Sequence, residues 1–313
     1  MGTIDVKPLS SQWVKQLALE LGFSRCGIAR AKPLEDARHR FEDALAIGAH
    51  AGMRFLERDI VKRFDPSELL PGCKSVVVVL YNYLIEEQPA SERYRMARFT
   101  WVEDYHRALA ERIEELAGKI IPPEAHYRIT VDSSCISEKN WAVEAGVGCF
   151  GKNGLVHNED GSYFVMGTIL TDCAADFYDS FRNSDCGECR LCQDKCPAKA
   201  LETPFRVDAS RCFAYHTVEN KNPDNEILAS SPFVFGCDVC QEVCPKNKKI
   251  HPTLTNILKS SLFLQLQNQE MEDLTEEDFK HYFGDTSIAR RKYQRFHHAI
   301  EVKKQTIKNK EST

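Results

Sequence analysis

The first 175 or so residues alternate between helical and strand periods of hydrophobic positions. Trp13, Val14, Leu17 and Leu21 recur at helical spacing, with Gly22 as a stop signal. Phe23 to Ile28 then reads as a strand, and Pro33 to Ile47 as a second helix. Ser75 to Leu80 is a continuous apolar run of the kind found in a strand buried on both faces. A third helix fits Asp104 to Ile120, with Leu109, Ile113 and Leu116 on one stripe. His126 to Val131 returns as a strand and Ser137 to Ala145 as a helix, so Asp132 stands where a strand ends and the chain turns. Ligands of open α/β sheets gather at such ends. Two apolar runs, Leu155 to His157 and Tyr163 to Thr171, flank Asn158-Glu-Asp-Gly161 and predict a hairpin. The pattern is that of an α/β domain with an antiparallel element rather than a simple doubly wound fold. Gly146, Gly148, Gly151 and Gly154 do not form G-x-G-x-x-G after a strand, which argues against a dinucleotide site.

After Asp172 the composition shifts to Cys, Asp, Asn and Pro, and regular periodicity lapses until about Ile250. A chain of 313 residues suggests two domains, on a prior of roughly 100–200 residues each. Its net charge of −5 and 42% hydrophobic content are those of an ordinary globular protein. The most apolar run falls far short of the ~18 residues of a membrane helix. The N-terminus also lacks a basic-then-apolar leader, so a cytoplasmic location is expected.

Thirteen cysteines need a reason in a reducing compartment, where disulfides are rare. Cys26, Cys73, Cys135, Cys149 and Cys173 are scattered and read as small hydrophobes. The other eight are ordered. Cys186-x2-Cys189-x2-Cys192-x3-Cys196-Pro197 is the bacterial ferredoxin run, whose fourth cysteine serves a second cluster. Cys237-x2-Cys240-x3-Cys244-Pro245 repeats its later part, and Cys212 supplies the missing ligand. The expected ligation is Cys186, Cys189, Cys192 and Cys244 on one [4Fe–4S] cluster, with Cys196, Cys212, Cys237 and Cys240 on the other. Zinc is the alternative for Cys-x2-Cys pairs, but the three-cysteine run and the Cys-Pro ends argue against it. Such a module carries electrons without choosing a substrate, so chemistry is expected in the preceding domain.

The chain resembles the epoxyqueuosine reductase family along almost its whole length. The resemblance rests on Met53-Arg-Phe-Leu-Glu-Arg58, Phe64-Asp-Pro-Ser-Glu-Leu-Leu-Pro-Gly72, Asn82-Tyr83, Arg98-Phe-Thr-Trp-Val-Glu-Asp-Tyr-His106 and Val131-Asp-Ser133. Further on it rests on Glu138-Lys139, Gly151-Lys-Asn153, Gly161-Ser162 and Phe235-Gly-Cys-Asp-Val-Cys-Gln-Glu-Val-Cys-Pro245. It implies an α/β fold, a nitroreductase-like cobalamin-binding domain over residues 1–178, followed by a ferredoxin-like two-[4Fe–4S] module over 179–250. A basic helical segment would occupy 251–313. The implied reaction is reduction of epoxyqueuosine to queuosine at the wobble position of tRNA, by a monomer using cobalamin, two clusters and an external low-potential electron donor.

The resemblance makes Asp132 the proton donor, if burial beside the corrin raises its pKa; taken alone, a strand-end Asp is more often a turn or cap. Arg58, Lys152 and Asn153 are the implied cobalamin contacts; otherwise they are a surface ion pair and a turn. Tyr215 and His216 could be substrate-side or cluster-side groups, or a packed aromatic and a solvated imidazole. The basic run over 289–310, with Lys246 to Lys249, is the candidate tRNA surface, against the ordinary reading of a solvated tail. Three other functions fit parts of the sequence: a reductive dehalogenase-like cobalamin enzyme, an electron-transfer ferredoxin without chemistry, and a tRNA-binding scaffold with structural clusters.

Overall fold

The computed structural model describes residues 7–132, 134–181, 183, 186–253 and 257–311. Its centre is a four-stranded sheet in the order β1 (Arg25–Arg30), β2 (Ser75–Asn82), β6 (Phe164–Thr171) and β3 (Tyr127–Thr130), with every neighbouring pair antiparallel. β2 is buried along its length because the sheet is covered on both faces. Val77, Val79 and Tyr81 face helices α1 (Ser11–Glu20) and α3 (Tyr105–Ile120), meeting Val14, Leu17, Leu109, Ile113 and Leu116. Val76, Val78 and Leu80 face the other way, onto Ala37 of α2 (Glu35–Ala46) and Trp141 and Val143 of α4 (Glu138–Glu144). The period of two thus sends alternate residues of one apolar run into two cores.

The expected antiparallel element extends to the whole sheet, and the expected double burial of β2 comes from helices on both faces rather than from parallel neighbours. One expectation is corrected. The predicted hairpin is different. β5 (Val156–His157) pairs with β4 (Cys149–Phe150), while the run after Asn158 becomes β6 and crosses into the main sheet. The Asn158-to-Gly161 turn does form, as an isolated bridge.

The residues after 250 are no loose appendage. Phe263, Phe283, Phe296 and Ile300 share a third core with Tyr94, Met96 and Trp101 from the first half and with Val234 and Phe235 beside the second cysteine motif. Backbone hydrogen bonds from Ala97 to Phe235 and from Val234 to Arg95 knit the segments edge to edge. The last helix, α5 (Tyr293–Glu311), therefore carries an apolar stripe into this core, and its cations occupy the remaining faces.

Candidate active site and cluster cradle

The eight motif cysteines lie in two neighbourhoods. Burial, then the nearby Cys186, Cys244 and Cys189, pushes up the Cys192 thiol, and Cys244 is raised by burial and by Cys186 and Cys189. In the second group burial takes Cys237 up to about 12, with Cys212 and Cys196 as charged neighbours. Burial and the thiols of Cys237 and Cys212 raise Cys240 as well. Cysteines gathered in two such groups would be stabilised as thiolates by a cationic cluster. Among the described residues no three His, Cys, Asp or Glu side chains are arranged to hold a single ion. The two groups are the four-cysteine donor sets that two cubanes need.

Lys152 and Asn153 line a cavity with Gly151, His157, Cys186, Cys189, Cys192 and Cys244. Lys152 Nζ donates to the carbonyls of Gly187 (2.5 Å) and Cys189 (3.0 Å), tying the α/β half to the first cysteine run. Asn153 is buried and hydrogen-bonds Cys240. Gly151 has no room for a side chain, since a Cβ would stand 2.7 Å from Asn153 Oδ1. Both residues therefore stand at the clusters. Arg58 is exposed on a separate loop, whose Arg63 reaches the Cys135 carbonyl (3.2 Å) in the turn after Asp132.

Asp132 lies just beyond β3 with φ 50°, a left-handed conformation that Asp tolerates better than most residues. Its neighbour in the motif, Ser133, lies outside the described residues. Glu138, at the start of α4, holds the turn: its Oε1 accepts the Asp132 backbone N–H (2.9 Å) and the Thr130 hydroxyl (3.2 Å). Desolvation, reinforced by the Asp132 charge, raises Glu138 to about 7. The Asp132 carboxylate accepts the Tyr105 hydroxyl at 2.8 Å and faces His106 Nε2 at 3.6 Å. His106 Nδ1 is 2.5 Å from Asp104 Oδ1, and the Tyr105 and His106 rings stack 4.3 Å apart.

The electrostatics of this corner differ from what the resemblance suggests for the protein alone. Desolvation pushes the Asp132 carboxyl up, but the facing His106 imidazolium, the hydrogen bond from Tyr105 and the charge of Lys139 outweigh it, leaving the group below the usual carboxylate range. Desolvation opposes charge on His106 too, yet Asp104 and Asp132 lift it to about 9. The transferable proton at neutral pH thus rests on the imidazole. Tyr105 and His106 belong to the quoted motif, but their meeting with Asp132 could not be read from it.

Lys139 links the two regions. Desolvation lowers its pKa, opposed by Asp132 on one side and by Cys240 on the other. Lys139 and Asp132 are both accessible to solvent although protein atoms crowd them. Both conditions hold together in a recess walled by protein. A large flat cofactor between a cluster and an acid needs such a recess, and the charges of Lys139 and Asp132 in it would suit the polar periphery of cobalamin.

His216 is buried and fully bonded: Nε2 meets the Ser210 carbonyl at 2.7 Å and Nδ1 meets Asn220 Nδ2 at 3.1 Å. It is neither solvated nor open to substrate. The Tyr215 hydroxyl accepts the Gly52 N–H at 3.0 Å and so packs the cluster loop against the first domain.

A curated protein from Cyclobacterium marinum named epoxyqueuosine reductase is 34% identical over 305 residues, spanning 94% of this chain and 96% of the relative. The chain belongs to the epoxyqueuosine reductase family. The family profile "Epoxyqueuosine reductase QueG, DUF1730" matches residues 63–133, and that of the "4Fe-4S double cluster binding domain" matches 185–247. An epoxyqueuosine reductase crystallised with a tRNA-Tyr epoxyqueuosine-modified stem loop superimposes with a TM-score of 0.84 at 25% identity, covering 93% of this chain and 80% of that one. The Bacillus subtilis enzyme, solved with its catalytic aspartate loop swung out of the active site, gives 0.80 at 25% identity, again over 93% and 80% of the two chains.

Proposed function

We propose that this chain reduces epoxyqueuosine to queuosine in tRNA, with Asp132 delivering the proton that lets the epoxide oxygen depart as water. The observation that carries the reading is the exposed Asp132 carboxylate with the Tyr105 hydroxyl at 2.8 Å and the His106 imidazolium at 3.6 Å, beside Lys139, whose charge feels both Asp132 and the cluster ligand Cys240. The change consumes two electrons and two protons. When bound, the clusters supply electrons singly and cobalamin supplies a reduced cobalt able to act on the epoxide-bearing ring.

The protein's own residues perform the remaining tasks. Cys186, Cys189, Cys192 and Cys244 hold one cluster, and Cys196, Cys212, Cys237 and Cys240 hold the other. Lys139 and Asn153 are suited to the cofactor side of the recess nearest Cys240, and Arg58 to its rim beside the turn after Asp132. Tyr105 and His106 orient the Asp132 carboxylate, and Glu138 holds its backbone. Asp132 is exposed enough to meet a substrate, with its side chain 61% accessible. Low-potential all-cysteine clusters are filled by an external low-potential electron donor. The deciding experiment is mass spectrometry of nucleosides from epoxyqueuosine-bearing tRNA incubated with the reconstituted protein and a strong reductant. Queuosine should appear. Unchanged epoxyqueuosine with both cofactors loaded would exclude the reading.

A further inference from the structure

Arg290 belongs to the basic run that the sequence assigns to tRNA or to solvent, and the structure puts it elsewhere. The turn Ser287–Arg291 is locked to two distant parts of the molecule. Asp104 donates its backbone N–H to the Asp285 carbonyl at 2.7 Å, and the Thr286 hydroxyl accepts the Ile288 N–H at 3.2 Å. Arg291 is buried, its guanidinium donating to the carbonyls of His216 (3.3 Å) and Thr217 in the loop after Cys212. The backbone that presents Arg290 is therefore anchored on both sides.

Arg290 Nη2 stands 3.2 Å from Asp104 Oδ2 and 2.8 Å from His106 Nδ1. Nδ1 cannot serve both neighbours, because Asp104 needs an N–H there and Arg290 needs a lone pair. The shorter contact, 2.5 Å to Asp104, keeps the N–H, and Arg290 then binds Asp104 and sits beside the imidazolium as a like charge. The chain Arg290, Asp104, His106, Asp132 so joins the C-terminal segment to the carboxylate in the recess. The groups that face His106 are Asp104, Tyr105, Asp132, Glu138 and Arg290, and Lys139 faces Asp132.

We propose that Arg290 is a positioning residue that places a like charge beside the His106 imidazolium, so that His106 passes its proton to the Asp132 carboxylate and Asp132 hands that proton on to the departing oxygen. The step balances: the His106 Nε2–H bond breaks as an Asp132 Oδ2–H bond forms, that bond breaks as the proton passes to the departing oxygen, and neutral His106 later takes a proton from water. The 3.6 Å separation is an ion pair rather than a hydrogen bond, and the transfer requires the Asp132 turn to close on His106. The inference rests on Asp132 being the donor, but its primary test does not use turnover.

The His106 imidazole C–H resonances, assigned with a His106→Gln variant, are followed against pH by NMR in the cluster-loaded protein, its Arg290→Gln variant and its Arg290→Lys variant. Losing the cation should move the His106 midpoint upward in Arg290→Gln, and Arg290→Lys should restore it. Turnover of Arg290→Gln should fall severalfold with KM unchanged, well short of the roughly 10²–10⁴-fold loss typical of a missing general acid. An unmoved midpoint, or a downward one, overturns the proposal. Should Arg290→Gln fail to fold, judged by circular dichroism, an Arg290→Lys protein with an unmoved midpoint under rising salt would overturn it equally. Undiminished turnover in Asp132→Asn would instead remove the donor reading while leaving the midpoint shift in place.

Discussion

The cluster cradle and the acid corner are built in opposite ways. Seven of the eight motif cysteines come from two short runs, 186–196 and 237–244, in which ligand spacing and the following prolines do most of the placing. The acid corner draws Asp104, Tyr105 and His106 from the start of α3, Asp132 from the end of β3, Glu138 from the start of α4 and Arg290 from the C-terminal turn. One site is a local motif repeated, and the other is a convergence of segments. Mutations in the cradle should therefore delete a cofactor outright, while those in the corner should tune a proton.

The largest effect should come from the cradle. Wild-type protein reconstituted without oxygen should carry about eight irons per chain, and Cys186→Ala/Cys244→Ala should keep about four, because crossed ligation puts both residues on one cluster. Loss of nearly all iron in that double variant would refute the crossing, and either result is read by iron analysis and electron paramagnetic resonance.

Next in size is Asp132→Asn, which keeps shape and removes the carboxylate that takes up and delivers the proton. Turnover should fall by roughly 10²–10⁴-fold with clusters and cobalamin still bound. If cobalamin binding vanished as well, Asp132 would be a cofactor contact and the two regions would be less separate than drawn here.

A smaller and pH-dependent effect belongs to His106. Despite desolvation, Asp104 and Asp132 raise it from 6.5 to about 9. A cation held more tightly in the folded state stabilises fully below its unfolded value, so this contribution should be present below pH 6.5 and lost as pH rises through about 9. Thermal unfolding midpoints and turnover should both decline across that window, and His106→Gln should flatten the decline. An identical profile in the variant would move the titration to another group.

The smallest effect concerns the C-terminal cations. Lys304 pairs with Glu272 at 3.1 Å, Lys303 bonds the Ser231 carbonyl and Arg291 is buried, so only part of the basic run faces outward. Truncating the segment would destroy the third core, which makes charge removal the informative change. Lys292→Gln/Lys308→Gln, at two exposed positions, should reduce the slope of log affinity against log salt for tRNA by less than about 2, since each phosphate contact contributes at most about 0.9. An unchanged slope would make α5 purely architectural.

Much of the fold was legible. α1, α2, α3 and α4 follow from helical periodicity, and β2 from its apolar run, because each pattern is set by which residues must leave water. The direction of β2's neighbours was not legible, since a strand covered on both faces looks the same in parallel and antiparallel sheets. Nor was the fate of the residues after Asn158, where a sound turn leads into a different sheet. Asp132 stood out through the motif, whereas Lys139 belonged to a quoted motif with no role of its own and Arg290 to a basic run offered to tRNA.

By itself the sequence determined the cluster chemistry, because cubane ligation is written in gaps of two and three residues, with each run lending its last cysteine to the other run's cluster. It also determined most helices and the central strand, through periods that act over one or two turns. Only the tertiary structure decided where the proton rests. That depends on distances between charges more than a hundred residues apart in the chain, such as Asp104 and Arg290 at 3.2 Å, and Coulomb interactions follow separation in space rather than position in sequence.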